Sequence, residues 1–392
     1  MADYIDAAEA ARRLGVSRQS LYAYVSRGLI KAAPAEDPRQ SRYLAAAVDQ
    51  LAETRRRGRK PREIARATLD WGMPVLESAL TLIEDGRLFY RGRDAVELAR
   101  TAALEDVAEI LWAVPAASAF PRRTPAQLKA YRGLLTQTGG APASDTLLPL
   151  FSVAATEDAT SAWRTDPEGL ARGAGDLVRI LAAAALRQAP GSAPIHRQLA
   201  ASWGVGAQQE GLIRQALVLC ADHELNASSF TARCVASTGA SLKASVVAAL
   251  AALSGVRHGA VTTRVERLWD TLDPDDPATG LGARLKAGEV IPGFGHPLYP
   301  DGDIRAAALL SAIGPEFAAA ARFADAVRQL TGQDPSIDFA LVALRRHLGL
   351  PEGAAFLLFA IGRSVGWIAH GLEQRTTGQL IRPRALYTGE RP

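Results

Sequence analysis

Three of the chain's six histidines stand where a reacting group would be useful. His223 lies in a polar stretch, Ala221-Asp-His-Glu-Leu-Asn-Ala-Ser228, inside a helical region. His258 follows an apolar run in Ser254-Gly-Val-Arg-His-Gly259, at a Gly-rich turn or helix start. His296 sits in Ile291-Pro-Gly-Phe-Gly-His-Pro-Leu-Tyr299, where glycines let backbone approach a ligand closely. A histidine at a helix N-terminus tends to stay neutral, and it can then donate a hydrogen bond to a carbonyl that is becoming an enolate. Asp338, following Ser336-Ile337, reads on its own as a helix cap. Arg363 and Arg382 read on their own as surface or salt-bridge arginines. His347 and His370 are assigned to structure.

Other chemistries find no support. No two histidines show the i, i+4 spacing of a zinc-binding helix, no CxxC is present, and Cys220 and Cys234 lie 14 residues apart. The glycines at 255–259 and 293–295 fit neither the phosphate-binding loop nor the dinucleotide fingerprint, and no Gly-x-Ser-x-Gly elbow occurs. The expectation is acid–base chemistry with no metal and no cofactor.

These residues need a helical frame. Apolar residues recur at three- and four-residue spacing through Asp106–Trp112, Leu212–Cys220, Ala244–Leu253, Ile304–Ile313 and Ala354–Ile368. Breaks rich in Gly, Pro, Asp or Ser are expected at 139–144, 189–192, 273–282 and 292–303. Leu82–Tyr90 is expected to form a small hairpin at Asp85-Gly86. The fold class is all-α from residue 64 onward.

The first 63 residues read differently. Ala7 to Leu14 forms a helix that closes at Gly15, and Ser17 caps a second helix from Arg18 to Ser26. Ala8, Ala11, Leu14, Val16, Leu21 and Val25 pack the two together, which leaves Arg18, Gln19 and Tyr22 on the outer face. Two short helices joined by a tight Gly-containing turn make a helix-turn-helix, whose second helix presents polar side chains to base edges. This segment carries 13 Lys and Arg against eight Asp and Glu, concentrated at Arg55, Arg56, Arg57, Arg59, Lys60 and Arg62. Such a run is a solvated helix end or a contact for phosphate backbone.

Composition bounds the remainder. The 392 residues are 48% hydrophobic and 22% charged, with a net charge of +4, which suits two or three soluble domains and excludes global disorder. Two cysteines fit a reducing cytoplasm, and the N-terminus has no apolar segment of the secretory kind. The longest apolar runs, Val246–Leu253 and Ala354–Ile361, fall short of the roughly 18–20 residues that span a bilayer, so no membrane partner is expected.

The motifs together resemble a known family. Asp222-His-Glu-Leu-Asn-Ala-Ser228, Arg257-His-Gly259, Gly293-Phe-Gly-His296 with Asp303-Ile-Arg305, Ile337-Asp-Phe339, Gly362-Arg-Ser-Val-Gly-Trp-Ile-Ala-His370 and Ile381-Arg-Pro-Arg-Ala-Leu-Tyr-Thr-Gly389 look like citrate synthase, in its order and spacing. The resemblance runs from about Leu69 to Gly389. Residues 1–63 resemble the winged helix-turn-helix domain of MerR-type regulators.

The resemblance implies a large helical domain of residues 64–257 and 344–392 and a small one of 258–343 that closes over the site. It implies condensation of acetyl-CoA with oxaloacetate and hydrolysis to citrate and CoA. Asp338 would take a proton from the acetyl methyl, His258 would hold the thioester oxygen, and His296 would polarise the keto carbonyl and protonate the alkoxide. His223, Arg305 and Arg363 would bind the oxaloacetate carboxylates, and Arg382 would reach a neighbouring subunit's site in a homodimer or larger assembly. Two other readings stand beside this one. A 2-methylcitrate synthase would use propionyl-CoA. A DNA-binding regulator would keep the helical body as a metabolite sensor, with Arg18, Gln19 and Tyr22 as its DNA contacts. The front domain would otherwise serve as a docking appendage.

The chain departs from the family at three places, one of them Asp303-Ile304-Arg305, where the family usually has Asp-Pro-Arg. His258-Gly-Ala-Val-Thr-Thr263 stands where the family commonly has His-Gly-Gly-Ala-Asn-Glu. Pro-Leu-Tyr-Pro follows His296 where many members carry basic residues, so the sequence assigns no CoA-binding residue.

Overall fold

In a computed structural model, the structure describes residues 4–17, 21–22, 24–25, 30, 32–34, 41–58, 76–126, 129–315, 317–385 and 387–390. The chain forms two compact units. One is residues 1–77 with 384–392, and the other is residues 78–383.

In the first unit, Asp6 caps the helix Ala7–Leu14 by accepting a 2.8 Å bond from the Glu9 N–H. Gly15 ends the helix at φ 63°, a left-handed conformation that glycine adopts without steric cost. Ala10, Ala11 and Leu14 pack with Leu21, Ile30, Tyr43 and Val48. Ala8, expected among the packing residues, is exposed, and Ala10, two residues on, takes the inward place. A three-stranded antiparallel sheet completes the unit, with Ser41–Leu44 paired between Tyr4–Ile5 and Ala32–Pro34. Tyr22 is 55% exposed, as its outward placement requires. Arg18 and Gln19 lie outside the described residues, as do Arg59, Lys60 and Arg62.

The second unit opens on the expected hairpin. Thr81–Glu84 pairs with Arg87–Tyr90, and Asp85 and Gly86 both take positive φ at the turn. That is the twist a two-residue hairpin loop needs. A further strand, Arg93–Asp94, extends this sheet.

Helices make up nearly all the rest of this unit, and one of them organises the site. Ala354–Thr377 runs through the middle of the core, buried on every side from Ala354 to Gly371. Its mean hydropathy of 1.4 over 18 residues would suit a membrane span, but 94% of that window is buried inside the protein, so it is a core helix. It is also longer than its apolar run alone implied. Gly362 and Gly366 let it press against the end of helix Glu210–Leu219 and the segment after it. A Cβ at 362 would stand 2.6 Å from the Leu217 carbonyl, and one at 366 would stand 2.5 Å from the Ala221 carbonyl.

The expected break at 273–282 is only half a loop. Asp276 accepts from the Thr279 N–H at 3.3 Å and Pro277 takes the first helical position, so a helix runs from Pro277 to Lys286 with Gly280 and Gly282 inside it. Start signals there outweigh two glycines.

Candidate active site

Six of the seven residues singled out for chemistry in this unit gather at one place, where four chain segments meet. His223 lies in the turn between helices Glu210–Leu219 and Ala227–Ser237, not within a helix; Glu224 beside it takes φ +49°. Asn226 starts the second helix, accepting from the Ser228 and Ser229 N–H groups at 3.1 Å each. His258 occupies a turn that ends as helix Val261–Asp270 begins. Gly259 is required there, since a Cβ would stand 2.7 Å from the Leu253 side chain. The altered segment after it is satisfied internally, because Thr262 Oγ1 donates to the Gly259 carbonyl at 2.8 Å.

His296 and Asp338 are brought together by a short backbone splice. The Ser336 N–H donates to the Gly293 carbonyl at 2.8 Å, and the Gly295 N–H donates to the Asp334 carbonyl at 2.9 Å. Gly293 and Gly295 both carry positive φ, so this loop folds against the start of helix Ile337–His347. Asp338 is the second residue of that helix. Ser336 is the N-cap, and its hydroxyl donates weakly to Asp338 Oδ2 at 3.4 Å. Asp338 Oδ1 is buried with no hydrogen-bond partner.

The two arginines are prepared differently. Arg305, 2% exposed, is held by Asp303 through two bonds, from Nε at 2.9 Å and from Nη2 at 2.8 Å. Asp303 in turn accepts from the Ile337 N–H at 3.0 Å, which ties Arg305 to the helix of Asp338. Arg363, 1% exposed, donates from Nε to the Cys220 carbonyl at 2.7 Å and leaves Nη2 buried without a partner. A buried guanidinium nitrogen left unpaired is costly unless an anion comes to it. Beneath this arginine, Asp222 accepts from Thr81 Oγ1 and faces His370 Nε2 at 3.3 Å. Burial works against its charge, but His370 and then Arg363 hold its carboxyl below the ordinary range. His370 is fully buried in that pair, whereas His347 lies at the far end of its helix, beside Phe317.

Electrostatics set the protonation states. Burial, opposed by Arg305, pushes the Asp338 carboxyl up to about 6. Burial and the Arg363 charge push His258 down to about 4, while burial and Arg305 do the same to His296. His223 lies well below its ordinary value through burial, then Arg305, Arg363, His296 and His258, the cations and imidazoles that share its surroundings. The site therefore holds three neutral imidazoles, two buried cations and a carboxylate close to its titration point. Such a set can bind a dianion, remove a proton from a weak carbon acid and stabilise the resulting enolate.

Arg382 stands apart, exposed on the stretch after the core helix, whose backbone is fixed where the Ile381 N–H donates to Ser237 Oγ at 3.1 Å. Among the described residues, no cluster of His, Cys, Asp or Glu is arranged for a metal ion. Sequence reasoning missed Asp303 as the clamp on Arg305, Tyr299, whose hydroxyl meets His223 Nε2 at 3.0 Å, and Ser228. The Ser228 hydroxyl lies 2.8 Å from His258 Nε2 and 2.7 Å from Asn226 Oδ1, and it accepts from Trp367 Nε1 at 3.0 Å. All three stood inside the quoted motifs, but spacing does not say which side chains touch. A cavity of about 300 Å³ also opens beside the site's loops, walled by Arg264, Arg267 and Arg284 on one side and Val290, Ile291 and Pro292 on the other.

Comparisons with known proteins bear on the family of the chain. The family described as citrate synthase, C-terminal domain, matches residues 68–384, and a helix-turn-helix domain matches residues 4–56. The citrate synthase of Haloferax volcanii is 32% identical over 362 residues, covering 82% of this chain and 95% of that protein. The 2-methylcitrate synthase of Mycobacterium tuberculosis is 29% identical over 360 residues, covering 81% of this chain and 89% of its own length. Among solved structures, citrate synthase from Thermotoga maritima MSB8 superposes with a TM-score of 0.68 at 26% identity, over 81% of this chain and 94% of that one. The chain belongs to the citrate synthase family. It is an acyltransferase of the citrate synthase type with a helix-turn-helix domain in front.

Proposed function

We propose that the protein condenses acetyl-CoA with oxaloacetate and water to give citrate and CoA. The observation that carries this is the buried pair of arginines, one with an unpaired Nη2, set among neutral imidazoles and a carboxylate raised to about 6. Asp338 takes a proton from the acetyl methyl as His258 donates a hydrogen bond to the thioester oxygen. The ring is oriented by Ser228, whose hydroxyl donates to Asn226 Oδ1 at 2.7 Å and lies 2.8 Å from Nε2. The enolate carbon attacks the keto carbon of oxaloacetate, and His296 gives its ring proton to the alkoxide. Water then cleaves the thioester and releases CoA. Arg305, Arg363 and His223 hold the carboxylates meanwhile, and each positioned proton-transfer group contributes about 10²- to 10⁴-fold in rate.

Over most of the chain, identity is 32% to a citrate synthase and 29% to a 2-methylcitrate synthase, which supports acetyl-CoA over propionyl-CoA, while matches of 33% to 2-methylcitrate synthases cover 45% of the chain. Comparing kcat/KM for the two thioesters at saturating oxaloacetate tests this. A preference for acetyl-CoA is expected, and a preference for propionyl-CoA would reassign the enzyme. The cavity with Arg264, Arg267 and Arg284 suits the phosphates that both thioesters carry: its helix starts three residues after His258 and its other wall runs into Gly293–His296.

Residues 258–343 act in this reading as the closing domain, supported by the packing of helix Ile304–Ile313 on Ile337–His347 and of Pro277–Lys286 on Ala318–Thr331. Arg382 completes a neighbouring subunit's site. Two free cysteines accord with a cytoplasmic enzyme. The front domain binds DNA, a reading supported by its helix-turn-helix match and the outward Tyr22. Binding to a mixed duplex pool that weakens steeply with salt is the expected result, and no binding at low salt would leave it a docking appendage.

A further inference from the structure

Tyr299 takes no part in the proton transfers, yet it lies at the centre of the keto-acid site. It is 2% exposed. Its ring lies 5.2 Å from the His296 ring and 5.4 Å from the Arg305 guanidinium carbon, centroid to centroid and centroid to atom. Its hydroxyl is 3.0 Å from His223 Nε2. The His223 ring in turn meets His296 edge-on at 5.1 Å, with the planes at 90°.

Tyr299 is itself fixed. Its N–H donates to the His296 carbonyl at 2.9 Å, and its carbonyl accepts from the Gly302 N–H at 3.1 Å. Prolines at 297 and 300 stiffen the same loop. The loop that places His296 therefore also places this hydroxyl, and the hydroxyl reaches a histidine carried on a separate turn.

The proton on that hydroxyl has one place to go. Burial pushes the phenol up to about 12, so it keeps its proton, and among the described residues the only acceptor within reach is His223 Nε2. A buried hydroxyl uses its donor. His223 is neutral, so a hydrogen bond received at Nε2 leaves the ring proton on Nδ1. Among the described residues Nδ1 has no partner, and it remains open to a carboxylate oxygen.

We propose that Tyr299 is a positioning residue for the keto acid: its hydroxyl donates to His223 Nε2, fixing both the tautomer and the ring plane in which His223 presents Nδ1–H to a substrate carboxylate. Its ring also covers the face of Arg305 and keeps water from that cation. The inference rests on the reading of this site as the oxaloacetate pocket.

The experiment is calorimetric titration of the full chain with oxaloacetate, for wild type, Tyr299→Phe, His223→Asn and the double variant, with steady-state kinetics beside it. Tyr299→Phe keeps the ring and removes only the hydroxyl. The expected result is weaker oxaloacetate binding, about three- to tenfold, the size of one neutral hydrogen bond. The KM for oxaloacetate rises alike, while kcat and the KM for acetyl-CoA stay within about twofold. In the His223→Asn background the tyrosine change adds nothing, because the hydroxyl acts through the imidazole. Unchanged or tighter binding in Tyr299→Phe would overturn the inference. So would effects that multiply in the double variant, or a KM for acetyl-CoA that rises equally, both of which mark a merely structural residue. Failure of the wild type to bind oxaloacetate at all would instead remove the keto-acid reading of the pocket, and the inference with it.

Discussion

A single carboxyl decides how this site responds to pH. In the proposed reaction Asp338 acts ionised, and burial raises it to about 6, so kcat/KM for the thioester should be flat near neutrality and fall tenfold per unit as pH drops below about 6. His258 and His296, held near 4, add no second limb in that range. The stability consequence has the opposite sign. A carboxyl raised on folding stabilises the protein below its unfolded value, and that contribution is lost as pH rises through about 6. Asp338→Asn should therefore be inactive yet no less thermostable than wild type at pH 7, as thermal unfolding would show; a marked drop in Tm would mean the carboxylate is structural. At this scale the sequence was informative about residue types and silent about contacts. The three histidines stood out through their glycine-rich or polar neighbours, and Asp338 through its motif. Tyr299, Asp303 and Ser228 act by touching something up to 139 positions away or on another segment, and periodicity carries no such information.

Glycines in the core helix convert helix packing into site geometry. Gly366 lets Ala354–Thr377 lie against the Ala221 carbonyl and the Asp222 carboxylate, which keeps Arg363 on the Cys220 carbonyl and His223 in its turn. Gly366→Ala forces that turn outward. It should cost about 1–3 kcal/mol in stability and raise the KM for oxaloacetate more than that for acetyl-CoA. Urea unfolding and steady-state kinetics check both, and a variant with wild-type stability and KM would show that the contact has slack. Helix positions were largely legible, as with Ile304–Ile313, whose ends match expectation. Their lengths were less so. Ala354–Thr377 outran its apolar run because inside the core Arg363 donates to the Cys220 carbonyl and His370 faces the Asp222 carboxylate, and Pro277–Lys286 arose where glycines suggested a loop. Tertiary contacts made the difference in both cases.

At the scale of the molecule, the two units have separate cores, and the boundary between them falls at residues 77 and 78, beyond the charge shift near residue 63. The C-terminal Arg382 is exposed within its own chain, in keeping with a role in a neighbour's site. Mixing Arg382→Ala with Asp338→Asn chains tests that role. If Arg382 acts across subunits, random dimers restore about a quarter of the wild-type sites, because one site in each mixed dimer is intact. No recovery would place the arginine's effect within its own subunit. The central claim, that this cluster makes a carbon nucleophile from a thioester and adds it to a bound keto acid, is tested most directly by following free CoA thiol released from acetyl-CoA, with and without oxaloacetate, for wild type and Asp338→Asn. The account predicts release that requires oxaloacetate and falls by about 10²- to 10⁴-fold in the variant. Release without oxaloacetate, or release undiminished in Asp338→Asn, would contradict it.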